Sequence, residues 1–113
     1  MSFVYLASPY TPTGTETIAD RVSAASKYAA KLMQQGYSVF SPIVHSHYVA
    51  DHLDDALRLD HEFWMLQDLA IMRAAAKVIV LRLPGWDRSR GIAREIEAAK
   101  KVYIPVEFHD YDS

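Results

Sequence analysis

The apolar run Val78-Ile79-Val80-Leu81 breaks at Pro84-Gly85 and gives way to the helical pattern Ile92-Ala93-Arg94-Glu95-Ile96-Glu97-Ala98-Ala99. A short apolar run bounded by turn residues reads as a buried strand, and the pattern after it as a helix. Strand, loop and helix in this order make half of a βαβ unit, which commits the chain to a parallel sheet with helices packed on it. The same junction leaves backbone N–H groups at residues 89 to 92 without acceptors. Such a helix start attracts anions, phosphate above all. One turn deeper, Glu95 faces the space that an anion there would fill.

The rest of the chain repeats the alternation. Residues 3–7, 37–40, 77–83 and 102–106 read as strands. Thr15 or Thr17 caps a first helix in which Ile18, Val22, Ala25, Ala29 and Leu32 form one apolar stripe, with Gly36 as its stop. Residues 43–57 carry His45, His47 and His52 and read as irregular or weakly helical, with His45 and His47 at the end of the second strand. A strong helix follows over residues 59–75. Together these predict a single domain over residues 1–113. Its class is α/β, a three-layer, doubly wound parallel sheet, flavodoxin-like or Rossmann-like, with four to five strands in an order near 2-1-3-4. In that order the winding reverses between the first and third strands. The turn-rich loops after them, residues 8–14 and 84–90, then share one crevice, where ligands of such sheets bind.

Composition narrows the function. Hydrophobic residues make up 50% of the 113 and charged residues 23%, the balance of an ordinary globular domain. No apolar run approaches the ~20 residues that cross a bilayer, and residues 1–6 lack the basic flank of a signal peptide. A cytoplasmic protein with no membrane partner is the expectation. A net charge of −2 argues against non-specific nucleic-acid binding, and the absence of cysteine removes thiolate chemistry. The histidines match no familiar metal-ligand spacing, so no metal is expected.

Two carboxylates stand out. The helix over residues 59–75 is apolar nearly all round, with Leu59, Phe63, Leu66 and Ala70 on one face and Trp64, Met65, Ile71 and Met72 on another. Asp68 lies on the second face, where desolvation favours its protonated form and suits a general acid; pointing into water is its plain alternative. Glu97, beside Lys100, Lys101 and Arg94, belongs to a solvated ion-pair face. Glu95 shares the small-residue face of Gly91, Ile92, Ala98 and Ala99, and a glutamate there needs a partner or a task. A structural bond to Tyr5, Tyr10 or a backbone N–H would be partner enough. Ser89 reads as an N-cap, a role compatible with phosphate binding. Gly91 lets a ligand approach the backbone, and Arg88 and Arg90 either clamp an anion or face solvent. His45 contacts either substrate or the core.

Val4-Tyr5-Leu6-Ala7-Ser8-Pro9-Tyr10, Asp68-Leu69 and Ser89-x-Gly91-x-x-x-Glu95, in this order, resemble the nucleoside 2-deoxyribosyltransferase-like superfamily, and within it a branch of small, uncharacterised bacterial proteins. The resemblance spans nearly the whole chain. It implies that Glu95 attacks the anomeric carbon of a nucleoside, that Tyr5 orients it, and that Asp68 serves the leaving base or the sugar. The all-round apolar helix, with Trp64 and Met72 off the sheet-facing side, predicts a homo-oligomer, and the resemblance implies sites near its subunit interfaces. Members acting on nucleotides resemble one another in carrying Ser where Ser89 stands, and those acting on nucleosides carry Asp. The chain departs from the family at Glu95-Ile96-Glu97, where Glu-Leu-Gly is frequent, and at Lys77, where Asp is frequent.

The expected function is therefore N-glycosidic bond cleavage or deoxyribosyl transfer on a nucleoside 5′-monophosphate, chemistry that needs no cofactor. Ser8, Ser89 and nearby amides would hold phosphate, and Tyr10 or Trp86 would stack on the base. A nucleotide-binding or sensor module without turnover is the alternative, and a subunit built for assembly alone a third.

Overall fold

The structure is a computed structural model and describes residues 2–111. Strands β1 (Val4–Ala7), β2 (Val39–Phe40), β3 (Lys77–Arg82) and β4 (Val106–Asp110) form one sheet in the order β2-β1-β3-β4, every pair parallel. Helices α1 (Ile18–Gln34), α2 (Pro42–Val49), α3 (Asp55–Arg58), α4 (His61–Met72) and α5 (Arg90–Lys101) surround it, with 3₁₀ turns at Ala50–His52 and Trp86–Arg88. This is the expected three-layer α/β fold. The winding reverses between β1 and β3, so the loops leaving them open on the same crevice.

Alternation along the strands builds two cores. Tyr5, Ala7, Val78 and Val80 face Met65, Leu69 and Met72 of α4 and Ile92 and Ala99 of α5. Val4, Leu6, Ile79 and Leu81 face Tyr28, Ala29 and Leu32 of α1. Helices on both faces explain why β1 and the middle of β3 are apolar without interruption.

Thr17 caps α1 through a reciprocal capping box with Asp20, and Gly36 follows the helix in a left-handed conformation, φ 98°. The buried face of α1 is rotated from the expected stripe. Arg21 and Tyr28 join Ala25, Ala29 and Leu32 inside, while Ile18 is exposed. Helix α4 is shorter than predicted because the Asp60 carboxylate accepts from Glu62 N and Phe63 N and starts it there. Its inner stripe is Met65, Leu69 and Met72, so Met72 lies in the core rather than off the sheet-facing side, and Leu59 and Leu66 are exposed.

The segment after β2 takes the helical alternative, and the placement of its histidines and of the last strand is corrected. Residues 42–49 are helical, because Ser41 accepts from Val44 N and Pro42 occupies the first turn, where its missing N–H costs nothing. His45 and His47 therefore sit on α2, not on a strand. The last strand is displaced from residues 102–106 to Val106–Asp110, since α5 runs to Lys101 and residues 102–104 close it. Lys77, at the start of β3, bonds Glu107 of β4 at 2.8 Å and lies over the Tyr37 ring. Among the described residues, no helix is long and apolar enough to cross a membrane.

Candidate active site at the carboxyl end of the sheet

A cavity of about 640 Å³ opens where the winding reverses. The loop after β1 contributes Ser8, Tyr10 and Thr13, α2 contributes His47, α4 His61, Met65 and Asp68, and the β3–α5 junction Gly85, Arg88, Ser89, Gly91 and Glu95. Six of the predicted residues, Ser8, Tyr10, Asp68, Ser89, Gly91 and Glu95, thus share one wall system.

Tyr5 stands behind that wall, fully buried in β1, with its hydroxyl donating to Glu95 Oε2. The bond joins the central strand to α5 and fixes the carboxyl group's orientation. Burial, then the charges of Glu95 and Asp68, raise the Tyr5 pKa far above the phenol range, so the hydroxyl keeps its proton and remains the donor. Burial pushes Glu95 up to about 8; the Tyr5 hydrogen bond opposes this and the charge of Asp68 adds to it. Burial alone pushes Asp68 up to about 6. The two carboxyl groups titrate as a coupled pair, and burial holds both above the usual carboxylate range.

The start of α5 is less open than the sequence suggested. Ser89 N bonds Trp86 O at 3.3 Å, and Ile92 N bonds Ser89 Oγ at 3.2 Å. That leaves the N–H groups of Arg90 and Gly91 with no acceptor inside the helix. In the same cavity lining, Ser8 Oγ is buried and meets no hydrogen-bond partner among the described residues. A buried hydroxyl without a partner, in a cavity that also holds free N–H groups, is an arrangement that a polar ligand would complete.

Two predicted residues lie elsewhere. His45 packs on Phe40 at 5.3 Å and, outside the main cavity lining, faces an adjoining hollow of about 190 Å³ between α2 and α4 that shares Ser46, Trp64 and Asp68 with it. On a strand His45 and His47 would share a face; on a helix they diverge by about 200°, and it is His47 that reaches the cavity. Trp86 packs on Phe108 at 5.5 Å beside the Arg82 guanidinium, away from the cavity. Sequence reasoning missed Arg58 and His61 as cavity residues. His61 follows an aspartate cap in the pattern Asp60-His61-Glu62, the one signal that could have placed it at a helix start. Arg94 bonds both carboxylate oxygens of Glu62, at 2.6 and 3.0 Å, and so ties the starts of α4 and α5 together. As expected, Glu97 pairs outward with Lys101 at 3.3 Å. Among the described residues, no cluster of three or more His, Cys, Asp or Glu side chains is arranged to hold a metal ion.

Fold and site define a small doubly wound domain with a crevice at the carboxyl end of its sheet and a buried, tyrosine-held glutamate. The chain belongs to the family described as a domain of unknown function (DUF1937), whose model matches residues 2–110. No curated protein matches it.

Proposed function

We propose that this protein cleaves the N-glycosidic bond of a nucleoside or deoxynucleoside 5′-monophosphate, as a member of the nucleoside 2-deoxyribosyltransferase-like superfamily that its motifs resemble. One observation carries the reading: Glu95 is buried, bonded by Tyr5, and set on the wall of a cavity that also bears Asp68 and the open start of α5. The phosphate would be held by Arg90 N, Gly91 N and the Ser8 and Ser89 hydroxyls, with Arg88 and Arg90 beside it.

In the first step a Glu95 oxygen bonds C1′ while the C1′–N bond breaks. The bonding pair leaves with the base, and Asp68 protonates the base nitrogen. In the second step water, or a second base, attacks C1′ as the C1′–O bond to Glu95 breaks, and Asp68 takes the attacking group's proton. The reaction needs Glu95 ionised and the proton of the pair on Asp68, whereas burial alone favours the protonated form of both. Positive charge growing at the sugar beside Glu95 favours its ionised form, as does the Tyr5 bond, and moves the proton to Asp68. No cofactor enters either step.

Incubation with the common ribo- and deoxyribonucleoside 5′-monophosphates, followed by chromatography for free base, tests the proposal. Release by the native protein and none by Glu95→Ala is expected. No release with any of them would overturn it. The raised pKa of Glu95 favours a second reading, a nucleotide sensor in which Glu95 stays protonated and only donates a hydrogen bond. That reading expects thermal stabilisation by a monophosphate to survive Glu95→Gln without any base release. A homo-oligomer belongs to the first proposal through the resemblance, with the exposed Leu59 and Leu66 available for contact. Sedimentation analysis decides it.

A further inference from the structure

Among the described residues Arg21, on α1, is the most deeply buried charged side chain, at 0% exposure. Its Nη2 donates to the Pro84 carbonyl at 2.5 Å and to Thr13 Oγ1 at 3.3 Å, and lies 3.1 Å from Glu16 Oε1. Thr13 Oγ1 in turn donates to Glu16 Oε1 at 2.9 Å. Its Nε and Nη1 are buried and meet no acceptor among the described residues. A guanidinium taken out of water with only one nitrogen compensated is a poor source of stability; an apolar side chain of similar volume often serves a fold as well or better.

What the arginine does is join two loops. Thr13 and Glu16 belong to the loop after β1, and Pro84 to the loop after β3. Those loops also touch directly: a Cβ placed on Gly85 would lie 3.2 Å from Thr13 Cγ2. The first loop begins with Ser8 and Tyr10; the second leads through the 3₁₀ turn to Ser89. Both carry cavity walls, and no strand pairing holds either one.

We infer that Arg21 is a positioning residue that rivets the loop after β1 to the loop after β3 and so sets the span between Ser8 and the start of α5. The rivet is a property of the protein alone; its purpose, gripping a monophosphate, rests on the function proposed above.

Hydrogen–deuterium exchange and isothermal titration on native protein, Arg21→Met and Arg21→Lys test it, using the common nucleoside and deoxynucleoside 5′-monophosphates singly. In Arg21→Met, amides of residues 9–17 and 84–89 should exchange about tenfold faster, while β1 and β3 keep native protection. Affinity for any monophosphate the native protein binds should fall about tenfold or more without a matching loss of Tm, and Arg21→Lys should fall between. Unchanged exchange in both loops overturns the inference, as does faster exchange spread through the strands. If Arg21→Met does not fold, Thr13→Val decides: it should speed exchange in residues 9–17 alone, and failure to do so overturns the rivet. Should the native protein bind no monophosphate, the functional reading fails while the exchange pattern still judges the rivet.

Discussion

Gly91 is required neither by its backbone nor by its packing. It does not adopt a positive φ, and a Cβ there would meet Met65 Sδ and Ser89 Oγ at 3.8 Å and His61 Cε1 at 4.0 Å, all ordinary contacts. Alanine in the first turn of a helix is favoured over glycine by up to about 1 kcal/mol. The chain forgoes that where α5 meets the cavity, as expected if a ligand approaches the backbone. Gly91→Ala should raise the midpoint of urea unfolding and weaken monophosphate binding in titration calorimetry. Tyr103 shows the converse. Helices α1 and α5 end in the same pair of closing bonds, Gly36 N to Met33 O with Tyr37 N to Leu32 O, and Tyr103 N to Lys100 O with Ile104 N to Ala99 O. At the left-handed position α1 uses glycine, whereas α5 uses Tyr103 at φ 60° with its side chain 93% exposed. Tyr103→Gly should therefore stabilise the protein by about 1 kcal/mol, read from denaturant unfolding, because it removes Cβ strain and no packing.

Among the elements, α1 depends most visibly on its first turn. Thr17→Ala removes the acceptor for Asp20 N and should cost about 1 kcal/mol in thermal unfolding. The elements that could be read from sequence were those with both a periodic core face and a punctuating residue: β3 before Pro84-Gly85, α1 before Gly36, α5 after Ser89. Where one residue carries two meanings, the reading slipped. Ser41-Pro42 ends a strand and begins a helix, and the sequence signals the ending more plainly, so the segment of α2 reads as irregular or weakly helical and its histidines as a strand end. At the C-terminal side, Val102-Tyr103-Ile104 has strand composition but is spent closing α5, and the strand proper is the more polar Val106–Asp110. An edge strand with Glu107, His109 and Asp110 shows little of the apolar signal that marks a central one. The site followed the same logic. Residues on the two loops and along α5 were legible because the topology forces those segments together, whereas Arg58 and His61 reach the cavity from helices whose starts periodicity could not fix. Arg21 was invisible, since nothing local distinguishes a riveting arginine from a solvated one.

For the molecule as a whole, the buried acids govern the response to pH. The folded-state pKa of Glu95, about 8, lies above its ordinary value of 4.5, and that of Asp68, about 6, above 3.8. Between each pair of values the folded chain holds a proton that the unfolded chain has released, so these groups lower stability as pH rises through that window. Thermal unfolding should show a Tm that declines from pH 5 to pH 8 because of these groups. Glu95→Gln should flatten the upper part of that decline and stabilise the protein at pH 8 by a few kcal/mol. A Tm rising over the same range in native protein, with no difference in Glu95→Gln, would contradict the burial account of the pair.

The sheet order also bears on how the chain reaches this state during synthesis. Strand β1 leaves the ribosome first, yet lies between β2 and β3. It gains its second neighbour only after Arg82 has emerged, so until then an apolar segment waits with an unpaired edge. Tyr5 must likewise wait for Glu95, 90 residues downstream. Nascent chains arrested before α5 should consequently be protease-sensitive and chaperone-bound, with protection arriving late and in one step.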